Sequence, residues 1–174
     1  MHDLQLLDEK YANFLISYCF PNNTNRPITI LYKGKALEPF AHFLANKAKK
    51  KGFQNILFYN TSQYEKMNYL YQTNIDDLKK EAYLDAYPLE YVAANNGHIL
   101  QLEAYEKKFE YHVSNDKLIK SRQIIGNQFQ DYPSNLYNLK CTGTVVVYPT
   151  IDWAKKLYPN LPEKKAYKNY IYKL

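Results

Sequence analysis

The chain has 174 residues, a hydrophobic fraction of 46%, a charged fraction of 23% and a formal charge of +6. That length fits one domain able to bury its own core without a disulfide or metal staple, and the ordinary balance of apolar and charged residues excludes a disordered chain and a membrane-spanning one. The side-chain mix is less ordinary, with 19 Tyr, 21 Lys and 17 Asn against 2 Arg, 5 Gly and 4 His, so catalytic and metal-ligating types are scarce.

Along the chain, Leu4, Leu7, Tyr11, Phe14, Leu15, Tyr18 and Cys19 recur at spacings of three and four, which predicts a helix with one buried stripe and Asp3 as its N-cap. Pro21, Asn22 and Asn23 end it. Pro27 to Tyr32 is β-branched and aromatic and stops at Gly34, as a strand does. A second helix is predicted from about Leu37 to Lys51. At 100° per residue, Leu37, Phe40, Phe43, Leu44 and Ala48 share a face. Pro39 is tolerated in its first turn, and Gly52 supplies a left-handed stop. Ile56 to Tyr59 follows as a second strand, and the intervening helix is long enough to make the two strands parallel.

Ser62 opens another helical stretch carrying Tyr64, Met67, Leu70 and Tyr71, and a further one follows Asp76 and Asp77. A short helix with Leu89, Val92 and Ala93 ends at Asn96-Gly97, and Ile99 to Leu102 is a third strand. Ser114 caps a long helix reaching about Gln130, with Leu118, Ile125 and Phe129 inward. Thr144 to Tyr148 is a fourth strand, and its run of β-branched residues predicts cover on both faces. Pro162 and Glu163 start a last helix, in which Ala166, Tyr167, Tyr170, Ile171 and Leu174 form one stripe. Strands separated by helices predict an α/β domain over residues 1–174: three layers, with a mostly parallel sheet of about four strands and helices on both faces.

These elements carry few chemical motifs. Glycines at 34, 52, 97, 126 and 143 cannot form a G-x-G-x-x-G or Walker loop. A doubly wound sheet can still bind a ligand at the carboxyl ends of its strands. Glu38 and His42 lie four apart on the second helix, but the same arithmetic turns both away from Phe40 and Leu44, towards solvent. His98 and His112 each stand alone. Ser114 and Lys117 match the spacing S-x-x-K without its companion motifs, and a helix cap explains the serine better.

The basic excess is nearly all lysine, spread along the chain. Its densest run, Lys47, Lys49, Lys50 and Lys51, sits at a helix end, where cations complement the dipole. No nucleic-acid partner is therefore expected. Cys19 and Cys141 are far apart and read as buried free thiols in a reducing compartment. Met1-His2-Asp3 lacks a basic signal-peptide start, and the longest apolar run falls well short of the roughly 18 residues of a membrane span. A cytoplasmic protein with no membrane partner is expected.

The order of pieces resembles a known family. Glu9-Lys10-Tyr11-Ala12-Asn13-Phe14-Leu15-Ile16 is similar to the opening helix of the thermophilic-type metallo-aminopeptidases (aminopeptidases T and S and PepS). Arg26 to Asn60 follows the same pattern, with Glu38 early in its helix, then Ala48 and Gly52. The most specific match is Trp153-Ala154-Lys155-Lys156-Leu157-Tyr158-Pro159-Asn160-Leu161-Pro162-Glu163, which resembles the family's tryptophan segment; Ala166 and Tyr170-Ile171 fit the helix after it. Two places depart. Glu103-Ala104-Tyr105-Glu106 stands where the family often has an Asp-Pro, and Thr61-Ser62 stands where it often has an acidic residue.

The resemblance implies the N-terminal, non-catalytic domain of an enzyme that releases N-terminal amino acids from peptides with two divalent metal ions (zinc, cobalt or manganese). Its metal ligands and catalytic tyrosine belong to a C-terminal catalytic domain. None of those motifs occurs in this chain, so no catalytic, cofactor-binding or metal residue is carried over. The implied partners are that C-terminal domain, a peptide substrate, and a second copy in a homodimer. The alternative is a self-standing α/β binding or dimerisation module without catalysis.

Overall fold

Four strands carry the architecture. The structure, a computed structural model, describes residues 2–80, 86–106, 108–129, 132–138 and 140–171, and within them not the side chains of 2–6, 79, 80 and 136. In chain order the elements are α1 (His2–Tyr18), β1 (Ile28–Tyr32), α2 (Glu38–Lys50), β2 (Ile56–Asn60), α3 (Gln63–Gln72), a 3₁₀ helix (Ile75–Lys80), α4 (Tyr87–Ala94), β3 (His98–Glu103), α5 (Asn115–Gln128), α6 (Tyr132–Tyr137), β4 (Thr142–Val147), α7 (Ile151–Leu157) and α8 (Glu163–Ile171). The strands pair in the order β2-β1-β3-β4, all parallel.

Register aligns Ile28 with Ile56 and His98, and His98 with Thr142. Side chains alternate between faces along each strand. One face, with Ile28, Ile30, Leu100 and Leu102, packs against α1 and α2 through Leu15, Ile16, Leu44 and Ala48. The opposite face, with Leu31 and Ile99, meets Leu89 and Val92 of α4 and Tyr132 of α6. This is the expected three-layer α/β arrangement. Two smaller cores lie beside it. Leu70, Leu78 and Val113 join α3, the 3₁₀ helix and the approach to α5, while Ala154, Ala166 and Tyr170 join α7 to α8.

Local chemistry sets most boundaries. Gly52 ends α2 with a φ of +101°, and its N–H reaches the Lys49 carbonyl at 3.0 Å. The Ser62 and Thr150 side chains accept hydrogen bonds from the N–H groups of Glu65 and Trp153, capping α3 and α7. Ser114 occupies the N-cap position of α5 with extended backbone but makes no side-chain cap bond.

Several expectations need correction. Asp3 lies inside α1, which already begins at His2, so it is not the cap. Phe14 and Tyr18 do not belong to the buried stripe: they are 51% and 78% exposed, and their rings meet at a tilt 5.0 Å apart. The buried face is shifted round the helix to Ala12, Leu15 and Ile16, because α1 meets both the sheet and α2. The fourth strand is not covered on both faces. It is an edge strand with Val145 and Val147 65% and 45% exposed. The stretch Ile75–Lys80 is a 3₁₀ helix, the continuation of the predicted helix over 81–85 lies outside the described residues, and α6 has no counterpart among the predicted elements. The Leu4 side chain and Leu174, placed in stripes by the sequence pattern, lie outside the described residues.

The link from α4 to β3 is the tightest point of the fold. Asn96 takes a positive φ of 50°. The Arg26 guanidinium donates to the carbonyls of Asn96 (2.6 Å) and Gly97 (2.9 Å). A Cβ on Gly97 would stand 2.2 Å from Val92 Cγ2 and 2.6 Å from the Pro27 carbonyl oxygen. The valine could turn away, but the Pro27 carbonyl is held in place by the His98 N–H at 2.8 Å. Gly97→Ala is therefore expected to cost about 3 kcal/mol. In urea unfolding it should lower the midpoint without changing the slope.

Candidate functional site

The strand order reverses direction at β1: β2 lies on one side of it, and β3 and β4 on the other. In a parallel sheet such a reversal opens a crevice at the carboxyl ends of the strands. A cleft of about 620 Å³ lies there. Lys33 enters it directly after β1, and Ala104, Tyr105 and Glu106 directly after β3. The first turns of α3 bring Gln63, Tyr64 and Met67, and α7 brings Trp153 and Lys156.

The floor is held by side chains that tie three loops together. Asn60, at the end of β2, accepts from the N–H groups of Gly34 (3.2 Å) and Ser62 (2.9 Å) through Oδ1. Its amide donates to Glu65 Oε2 at 2.6 Å, and Glu65 Oε1 accepts from Lys35 N at 3.1 Å. Gly34, with φ +76°, makes the turn that this pairing requires. Glu106 closes the set from the β3 side. One oxygen accepts from the Ser62 hydroxyl and the other from Gln63 N at 2.9 Å. A carboxylate thus occupies the positive end of α3.

Charge is placed unevenly over that floor. Lys33 is paired with Glu103, whose other oxygen accepts from the Gln101 amide at 2.6 Å. Lys156 sits 4.4 Å above the Tyr105 ring and, like Lys108, has no carboxylate partner among the described residues. Tyr64 and Phe109 pack edge to face at 5.5 Å on the cleft wall.

The residues singled out from sequence do not gather here. Glu38 and His42 approach to 3.9 Å on the exposed face of α2, as their spacing predicts. His112 is an exposed loop residue, and the Lys117 ammonium donates to the carbonyls of Leu70 (3.0 Å) and Tyr71 (3.3 Å), capping α3 instead of activating Ser114. Cys19 and Cys141 are free thiols, both pushed up by burial and so away from the reactive thiolate. An apolar groove of about 560 Å³ lined by Leu31, Ile99, Cys141 and Val145 carries no charged group among the described residues. No three His, Cys, Asp or Glu side chains among the described residues meet where a metal could bind, so these residues do not fit a metal centre.

A second titratable cluster ties the first helix and the last helix to the end of β4. Tyr148 donates to Asp8 at 2.5 Å, Tyr11 to the Val147 carbonyl at 2.6 Å, and Tyr167 to the Pro149 carbonyl at 3.3 Å. Burial, with neighbouring acidic groups adding, pushes Tyr11 and Tyr167 up to about 12 and Tyr148 further still. They act as neutral donors that hold structure.

A sequence model described as thermophilic metalloprotease (M29) matches residues 5–174. The chain belongs to this family. Among solved structures it is similar to wild-type AmpT from Thermus thermophilus, at 19% identity and a TM-score of 0.67. The similarity covers 93% of this chain but 41% of that one. No curated protein sequence matches the chain. In this M29 chain the two departures from the family pattern are neighbours in space: Ser62 and Glu106 hydrogen-bond across the mouth of the sheet. The lysines and aromatics of the cleft escaped the motif search because no spacing marks them. Their signal is position alone, just past the ends of the first and third strands.

Two predictions follow from these contacts. Ser62→Ala removes the α3 cap and a donor to Glu106, and should cost about 1–2 kcal/mol in chemical denaturation. The second concerns His98, which is buried at the start of β3. Its Nδ1 is 2.8 Å from Thr142 Oγ1. Burial first, and then the Arg26 charge, push it down to about 4, outweighing the opposing pull of the Cys19 carbonyl. The unfolded chain, with an ordinary His value of about 6.5, binds more protons between those limits, so stability there rises with pH. The His98 contribution is whole above about pH 6.5 and is lost as pH falls through the folded value. The Tm should drop on acidification across that window, and His98→Asn should flatten that part of the profile.

Proposed function

We propose that this chain is the N-terminal, non-catalytic domain of a metal-dependent aminopeptidase that releases N-terminal amino acids from peptides. The observation that carries this reading is the M29 match over residues 5–174. It is supported by the share of AmpT that the chain covers, 41%. The described residues, moreover, bring no set of metal ligands together. In this reading the divalent metals (zinc, cobalt or manganese) are held by a catalytic domain of the same polypeptide, and the parent enzyme is a cytoplasmic homodimer. No helix among the described residues is long and apolar enough to cross a membrane, which is compatible with that setting.

The role left to this domain is shaping. Its cleft opens at the carboxyl end of the sheet, on loops fixed by Asn60, Glu65 and Glu106. Such a floor can limit what reaches a neighbouring site without taking part in bond cleavage. Fixed geometry of this kind lets binding energy orient a substrate.

The test is a direct one. The purified 174-residue chain, incubated with an aminoacyl p-nitroanilide and cobalt, zinc or manganese, should release no chromophore above the blank. Metal-dependent turnover by this chain would overturn the assignment.

A further inference from the structure

The cleft at the carboxyl ends of β1 and β3 has binding capacity that its internal hydrogen bonds do not use. Glu106 and Ser62 already occupy the N-terminus of α3, the place where a phosphate would normally be cradled in such a fold. Lys33 is neutralised by Glu103. The remaining positive charge is on Lys108 and Lys156, which are exposed at the cleft without carboxylate partners among the described residues. Beside them lie the aromatic surfaces of Tyr64, Phe109 and Trp153. Ammonium groups are compact point charges with rotatable donors on flexible stems, so two of them can pair with one carboxylate without the fixed fork geometry of arginine. An apolar cleft with a few convergent polar groups is the usual form of a small-ligand site.

We propose that this cleft is a subsite for the free carboxylate of a short peptide with an apolar side chain. Lys108 and Lys156 meet the carboxylate, and the aromatic wall takes the side chain. The choice of a peptide as the carboxylate's source rests on the aminopeptidase reading; the anion and aromatic chemistry rests on the cleft alone.

Trp153 is the only tryptophan in the chain and lines the cleft, so its fluorescence reports occupancy directly. The 174-residue chain is titrated at low ionic strength with acetyl-Ala-Phe as free acid, the same peptide as C-terminal amide, and inorganic phosphate. The free acid should give a saturable change, the amide should bind at least tenfold more weakly, and phosphate should give no saturation. Lys108→Gln and Lys156→Gln should each weaken the acid about fivefold and leave the amide unchanged. Lys50→Gln, at the far end of α2, should change neither. Equal binding of acid and amide, a saturable response to phosphate, or no response to any probe would overturn the proposal. Acid–amide discrimination together with turnover by the chain alone would keep this subsite and remove the domain assignment. Lost discrimination with no turnover would do the reverse.

Discussion

The structure depends on one constraint: β1 is hydrogen-bonded on both sides by parallel strands that come later in the chain. Parallel pairing cannot be closed by a hairpin, so each connection must cross the sheet through a helix. The step from β1 to β2 runs one way, and the step from β2 back past β1 to β3 runs the other. Crossovers of one hand must then lie on opposite faces. They do: α2 covers the face with Ile30, and α4 covers the face with Leu31. Burial of β1 between them follows, and so does the crevice where the strand direction reverses.

That crevice explains why the chemistry of the domain sits in loops with no motif. The turn after β1, the turn after β2 and the loop after β3 are brought together only by the register of the strands. Once adjacent, they are locked by Asn60, Ser62, Glu65 and Glu106. An acid in place of Ser62 would face the Glu106 carboxylate, whereas a hydroxyl donates to it.

The C-terminal helices are a partly separate construction. They share a small core of Ala154, Ala166 and Tyr170, and Tyr167 hydrogen-bonds the Pro149 carbonyl just past β4, where Tyr11 and Tyr148 tie α1 to the same strand end. Burial keeps those hydroxyls protonated well beyond neutral pH, so they remain donors there. The packing of α7 places Trp153 and Lys156 beside Tyr105, which completes the cleft wall. The tryptophan segment that carries the family resemblance thus also has a position at the cleft.

Local pattern determined most of the elements. The periodicity of α2, the left-handed stop at Gly52, the serine before α3 and the β-branched strands each depend on residues within a turn or two of one another, and the structure keeps them. Family membership was also legible, through the opening helix and the tryptophan segment. Sidedness was not. Phe14 and Tyr18 fit an apolar stripe, and Val145 fits a covered strand, but which face is buried depends on neighbours far away in sequence. The cleft is the same case in stronger form. Lys33, Tyr105 and Lys156 share no spacing, and only the parallel register and the packing of α7 make them neighbours. Short-range sterics and hydrogen bonding are written residue by residue, whereas the meeting of distant loops is a property of the folded sheet.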